Sequence, residues 1–194
     1  MTQVFTQKRM LTSVLMCLLA TGLWQTGEGL WIHAKAQLAQ FLLERAWDRA
    51  VAGEPAPKPW PWSDTQPIAR LRVIRPSIDL IVLANASGRT LAFGPAYLSS
   101  STPPGGRGTT ILTGHRDTHF AFLLRLQPTD EILMETPDRR QHRYIVREVS
   151  IVDGRTTIIR SDGMPQLALV TCYPFDAIMP GGPLRFVVIA DLKA

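Results

Sequence analysis

Cys172, His115 and Arg185 are the residues of this chain best suited to covalent chemistry, and each stands at one end of a short apolar run. Cys172 closes Leu169-Val170-Thr171-Cys172, His115 follows Thr110-Ile111-Leu112-Thr113-Gly114, and Arg185 opens Leu184-Arg185-Phe186-Val187-Val188-Ile189. A thiolate attacks a carbonyl carbon, an imidazole moves the protons, and a guanidinium that never titrates away steadies the oxyanion or clamps the substrate. The second cysteine, Cys17, lies in the N-terminal apolar segment, so the two do not form a disulfide. A lone thiol in an exported domain is an oxidation liability, and its use as a nucleophile explains why it is there. The three groups together predict a cysteine acyl-transfer site.

Each residue has a plainer reading. Cys172 after Leu-Val could be an inert core residue, His115 a turn histidine and Arg185 an exposed strand arginine, but these explanations must hold jointly. Zinc is a rival, since His115 and His119 stand four apart with Asp117 between them and His142 later. The His-Glu-x-x-His pattern fails, however, because Arg116 and Asp117 occupy its inner positions, so neither metal nor other cofactor is expected. Asp117 has two open roles: orienting the His115 imidazole, or capping a short helix that begins near Thr118.

These residues need a scaffold. The chain has 194 residues, 45% hydrophobic and 19% charged, which suits one globular domain with appendages. From Ala69 onward short strands alternate with turns: 69–74, 80–83, 109–113, 131–135, 141–152, 168–172 and 184–190, with one short helix near 119–126. That rhythm predicts a mainly β fold, a barrel or sandwich. No phosphate loop or βαβ rhythm is present. The net charge of +5 comes from scattered arginines without a basic-aromatic stripe, so no nucleic-acid partner is expected.

The N-terminus predicts location. Lys8 and Arg9 precede an apolar stretch from Met10 to Trp24, and the next charge is Glu28. Residues 1–29 read as a cytoplasmic tail and a signal-anchor transmembrane helix, with Trp24 and Trp31 at the outer interface. A cleaved signal peptide ending near Ala20-Thr21-Gly22 is the other possibility. Residues 30–54 read as an amphipathic helix, its apolar side carrying Leu30, Ala34, Leu38, Phe41, Leu42, Leu43 and Ala46, stopped by Gly53 and Pro55. That helix lies on a membrane, docks on a partner, or packs on its own domain. Residues 55–67 are a stiff Pro/Trp connector or a strap with Trp60 and Trp62 tucked in, and residues 68–194 form the catalytic domain.

Thr113-Gly114-His115, Leu169-Val170-Thr171-Cys172 and Leu184-Arg185-Phe186, in this order and spacing, resemble a sortase. His115-Arg116-Asp117-Thr118-His119-Phe120, Thr171-Cys172-Tyr173-Pro174-Phe175-Asp176, Trp60-Pro61-Trp62 and Leu91-Ala92-Phe93-Gly94-Pro95 are similar to the Gram-negative, marine proteobacterial group. Ala168 departs from the threonine that opens the family's cysteine motif. The resemblance implies a closed sortase β-barrel of about eight strands with one or two short helices, and an uncleaved anchor in the inner membrane. The N-terminus would be cytoplasmic and the catalytic domain periplasmic. It implies that Cys172 cleaves a C-terminal sorting signal of the Leu-Pro-x-Thr-Gly type, holds the thioester and passes it to an amine acceptor. His115 would be the acid/base and Arg185 the oxyanion or clamping residue, with Thr171, Thr113 and Tyr173 along the groove. The loops 153–166 and 173–183 would shape substrate choice. The partners so implied are a protein bearing a sorting signal, an amine acceptor and membrane lipid. A periplasmic cysteine hydrolase on the same scaffold and a non-enzymatic envelope scaffold are the alternatives.

Overall fold

Alternating apolar residues can bury one face of a strand only if the sheet curls or stacks, and here it curls completely. The computed structural model describes residues 2–75, 77–159, 163–179 and 181–193, and of residues 2–9 and 11 the backbone alone. Lys8, Arg9 and parts of the two loops expected to shape substrate choice (160–162 and Pro180) therefore lie outside what is described of side chains or backbone. The chain divides into two compact units, Met1–Gln40 and Phe41–Ala194.

Helix α1 runs over Thr2–Val51. In the first unit its side chains from Met10 to Leu38 are largely exposed, Leu15, Leu19, Leu23, Trp24, Leu30 and Trp31 among them. Among the described residues no helix is long and apolar enough to cross a membrane. The signal-anchor span expected from the sequence is not shown among the described residues, where Gly22, Gln25, Thr26, Gly27 and Glu28 dilute the apolar run.

In the second unit the last turns of α1 pack on the barrel. Leu43, Ala46, Trp47 and Ala50 are buried, a stripe at i, i+3, i+4 and i+7. Leu43 and Trp47 meet Ile81, Leu83 and Ala96. Of the expected apolar side, Leu43 and Ala46 are buried and Leu42 half-buried, while Phe41 is exposed and Trp47 and Ala50 complete the stripe. The helix stops in a Schellman turn: Gly53 takes φ +94°, its N–H donates to Ala50 O, and the Glu54 N–H donates to Arg49 O. The strap that follows tucks in one tryptophan of two. Trp60 lies edge-on to Phe93 with centroids 5.0 Å apart, while Trp62 is 82% exposed.

The strands are β1 (Pro67–Val73), β2 (Ile78–Leu83), β3 (Ala96–Tyr97), β4 (Thr109–Thr113), β5 (Glu131–Glu135), β6 (Gln141–Asp153), β7 (Gln166–Cys172) and β8 (Leu184–Leu192). They close in the order β1-β2-β3-β4-β7-β8-β6-β5. Every pair is antiparallel except β2 with β3 and β4 with β7. The expected eight-strand barrel is therefore present, and a 3-10 helix at Ala121–Arg125 stands where a short helix was expected. The two-residue β3 and the one-turn helix α2 (Gly88–Leu91) were not anticipated, being too short to carry a period. Leu71, Val73, Leu112, Ile132, Met134, Tyr144, Leu167, Leu169 and Val188 fill the interior.

Because Trp47 is 3% exposed against the β2–β3 surface, Trp47→Ala should cost the barrel about 3–5 kcal/mol of stability. Urea unfolding of the full chain checks this. A loss well under 1 kcal/mol would mean that the helix end is an ornament on an independently stable barrel.

Candidate active site

The position of the site follows from register. Strand β7 lies between β4 and β8, with Thr113 opposite Val170 in the parallel pair and Arg185 opposite Cys172 in the antiparallel one. The Gly114 N–H donates to Val170 O at 3.3 Å, so the parallel ladder continues past the last residue of β4. Carried one residue further it sets His115 opposite Cys172. Neighbouring strands are about 4.8 Å apart. The thiol-bearing residue thus has Arg185 as its partner on β8 and, on the β4 side, the strand end that leads into His115.

Their common face follows from the period of two. Leu169 is partnered by Leu112 on one side and Val188 on the other and all three belong to the core, so Gly114, Thr171 and Phe186, two residues along each strand, also face inward. Cys172 and Arg185 then face outward, with Thr113 two residues before His115 on the same outer surface. Cys172 is half-buried and His115 exposed, an arrangement open to an extended chain laid across the strand ends.

The inward residues lock this geometry. Thr171 is 2% exposed and its Oγ1 donates to Gly114 O at 2.7 Å, tying the end of β7 to the residue before His115. Gly114 admits no side chain, since a Cβ there would stand 2.8 Å from the Phe120 ring. The Phe120 N–H donates back to His115 O at 2.9 Å, which closes the turn carrying the imidazole. Thr171, expected along the groove, therefore braces it from inside. Tyr173 also turns to packing: its ring stacks on Phe186 at 6.4 Å and meets Phe175 edge-on.

Arg185 is held by its own loop. Its Nη1 donates to Gly182 O at 2.7 Å and to Leu184 O at 2.8 Å. The side chain crosses Gly154, where a Cβ would lie 3.0 Å from its Cγ. Hydrogen bonds from Arg155 hold the neighbouring Asp153 carboxyl down to about 2, with Arg185 adding a smaller pull. Asp117 does not fill the capping role: the 3-10 helix begins at Ala121, and its N-cap, Phe120, receives no side-chain cap. The influence of Asp117 falls on His119, whose imidazole burial pushes below its ordinary range, with nearby His115 adding to the shift and Asp117 opposing it. Among the described residues no three His, Cys, Asp or Glu side chains form a metal-holding group.

One site residue escaped the sequence reading. Arg116 Nη2 donates to Ala177 O at 2.8 Å and to Met179 O at 3.3 Å, joining the residue after His115 to the loop after Cys172. An arginine in a His-Arg-Asp string signals only charge; its carbonyl acceptors lie about sixty residues away, beyond any local pattern.

The sortase-domain family model matches residues 71–193, nearly the whole barrel and all three site residues. The chain belongs to the sortase family. Sortase D of Bacillus subtilis is 26% identical over 120 residues, which cover 61% of this chain and 60% of that protein, so the match spans about three fifths of the relative's length. Among solved structures, a Clostridium perfringens Sortase D5 transpeptidase superposes with a TM-score of 0.64 at 17% identity, covering 81% of this chain and 99% of the other. Sortase A from Corynebacterium diphtheriae gives 0.61 at 21% identity, with 80% and 84% covered. At these identities the structural likeness establishes the fold.

Removing the Thr171 hydroxyl leaves the Gly114 carbonyl buried without its side-chain donor. Thr171→Val should cost about 1–3 kcal/mol, and Thr171→Ser, which keeps the hydroxyl, should retain most of the stability in a thermal or urea melt. Equal stability of the two variants would show that the hydroxyl does not brace the site.

Proposed function

We propose that this sortase is a cysteine transpeptidase acting on a sorting signal at the cell envelope. One observation carries the reading: Cys172 stands on the outer barrel face between Arg185, its cross-strand partner, and the strand end that carries His115. The Cys172 thiolate attacks the carbonyl carbon of the scissile peptide bond and gives a tetrahedral oxyanion. The Arg185 guanidinium, freed from the Gly182 and Leu184 carbonyls, donates to that oxyanion or to the substrate backbone. Protonated His115 gives its proton to the leaving amine as the C–N bond breaks, leaving a thioester on Cys172. The acceptor amine then loses a proton to His115 and attacks the thioester, and the thiolate departs.

A peptide substrate is supported by the surface beside the thiol. Val152 pairs with Arg185, and from there a cleft of about 210 Å³ runs along the outside of β6 and β8. Val152, Val187, Ile189, Thr157 and Ile159 line it together with Arg147, Ser150 and Gln166, the last at the far end of β7 from Cys172. An extended segment of the Leu-Pro-x-Thr-Gly type, cut after its threonine, fits a site that offers strand ends and a largely apolar cleft. The resemblance to the Gram-negative sortase group favours a periplasmic catalytic domain and an acceptor amine on an envelope component.

We place the N-terminal helix at the inner membrane, with its N-terminus cytoplasmic. Apolar side chains stand exposed all around it between Met10 and Ile32, which water tolerates poorly. Thr21 and Thr26 are already satisfied, Thr21 Oγ1 donating to Cys17 O and Thr26 Oγ1 to Gly22 O, which lowers the cost of lipid around them. The expressed chain should remain in the membrane pellet after alkaline carbonate washing; release into the supernatant would restrict the helix to surface or partner contact.

Cys172→Ala should abolish the peptide thioester, and His115→Ala and Arg185→Ala should each lower kcat/KM by about a hundredfold to ten-thousandfold. The check is mass spectrometry of the acyl-enzyme, with a quenched Leu-Pro-x-Thr-Gly peptide and added amine. Ligated product supports the transpeptidase, release of the free acid alone favours the hydrolase, and retained turnover in Cys172→Ala removes the mechanism.

A further inference from the structure

The loop between β7 and β8 leaves the barrel beside Cys172 and returns beside Arg185, and its outermost residues are apolar. Ile178 is 100% exposed and Met179 81%. The base of the loop is fixed by packing, since Tyr173 and Phe175 gather on Phe186. Its tip is fixed by charge. One nitrogen of Arg116 donates to the carbonyls on either side of Ile178, those of Ala177 and Met179. A free isoleucine would gain by folding down onto the barrel. With both flanking carbonyls drawn to a guanidinium, the Ile178 side chain is forced to the apex.

We infer that Arg116 is a positioning residue that sets substrate selection: by pinning the backbone around Ile178 it presents an apolar contact for the sorting peptide at the rim of the site. The inference rests on the transpeptidase reading. It assigns Arg116 no part in bond making, because its guanidinium is committed to the loop. The Tyr173 N–H donates to Leu184 O at 3.0 Å across the base of the loop, so its anchor points adjoin the three site residues: Arg116 follows His115, Tyr173 follows Cys172, and Leu184 precedes Arg185. A peptide that displaces the tip therefore meets resistance transmitted to the catalytic strand ends. A charged donor shared between two carbonyls is stiffer than a neutral one. Lysine keeps the charge and loses the planar fork, so it restores only part of the restraint.

The experiment uses the full chain in detergent, with a quenched peptide containing Leu-Pro-x-Thr-Gly as the probe. In Arg116→Ala, KM should rise about fivefold to twentyfold while kcat stays within about twofold, and amide exchange at 177–179 should accelerate. Arg116→Lys should recover part of both effects. Ile178→Ser should raise KM alone to a similar degree, and should add little on top of Arg116→Ala. Unchanged exchange at 177–179 in Arg116→Ala overturns the clamp. Faster exchange with unchanged KM overturns the role in selection. If the wild-type chain forms no thioester with such a peptide, the transpeptidase reading falls and the selection role with it, while exchange still decides whether Arg116 holds the loop.

Discussion

The parallel ladder between β4 and β7 is the constraint on which the site depends. A parallel pair has no hairpin turn to set its register, so the register must be fixed by what the two strands bury and by bonds between them. Here the inner residues do both. Leu112 and Leu169 face each other in the core, and the Thr171 hydroxyl reaches the Gly114 carbonyl at the point where the ladder ends. Phe120 lies over Gly114 so closely that no other residue fits there. A slip of one residue would turn Cys172 into the barrel and expose Thr171 to water. The packing that stabilises the fold is thus the same packing that keeps the thiol outside.

Two loops complete the surroundings, and they are restrained in different ways. The β6–β7 loop opens with a local device: the Asp153 carboxylate accepts from Arg155 at 2.9 Å on the backbone and 2.6 Å on the side chain, and the Asp153 carbonyl receives the Thr157 N–H. The β7–β8 loop is held from a distance, by aromatic packing at its base and by Arg116 at its tip. Arg185 lies between them, crossing Gly154 of one loop and donating to Gly182 of the other. An arginine satisfied by backbone carbonyls can exchange those partners for an oxyanion at little cost, whereas one paired with a carboxylate would first have to break an ion pair. The ion pairs of Arg70 and Arg72 with Asp79, Glu44 and Glu135 involve strand β1, which lies across the barrel from β7.

The parts legible in the sequence were those with a period. The strand rhythm announced a barrel or sandwich, the sortase resemblance implied the closed barrel, and all three site residues stood at recognisable strand ends. Strand β3 and helix α2 were invisible because two or four residues carry no period. The face of α1 that packs on the barrel was legible in Leu43 and Ala46 but not in its edges, because several apolar stripes compete on that helix and the choice among them is made by Ile81, Leu83 and Ala96, which are remote in sequence. The resemblance places Thr171 along the groove, whereas alternation along β7 turns it inward beside the outward Cys172. Arg116 was unreadable for the plainest reason, that its acceptors are carbonyls, which every residue has.

The same alternation explains how a reactive site coexists with a dry core. Along β7 the residues facing inward, Leu167, Leu169 and Thr171, carry the packing, while the outward residue at the strand end carries the chemistry. Neither set constrains the identity of the other, provided the register holds. A thiol on the outer face is open to solvent, which suits a transfer through a thioester, because the leaving amine must depart before an acceptor amine enters on the same side of the acyl group. A nucleophile sunk in the barrel would have a single entrance and would serve hydrolysis by water better than transfer to a bulky amine.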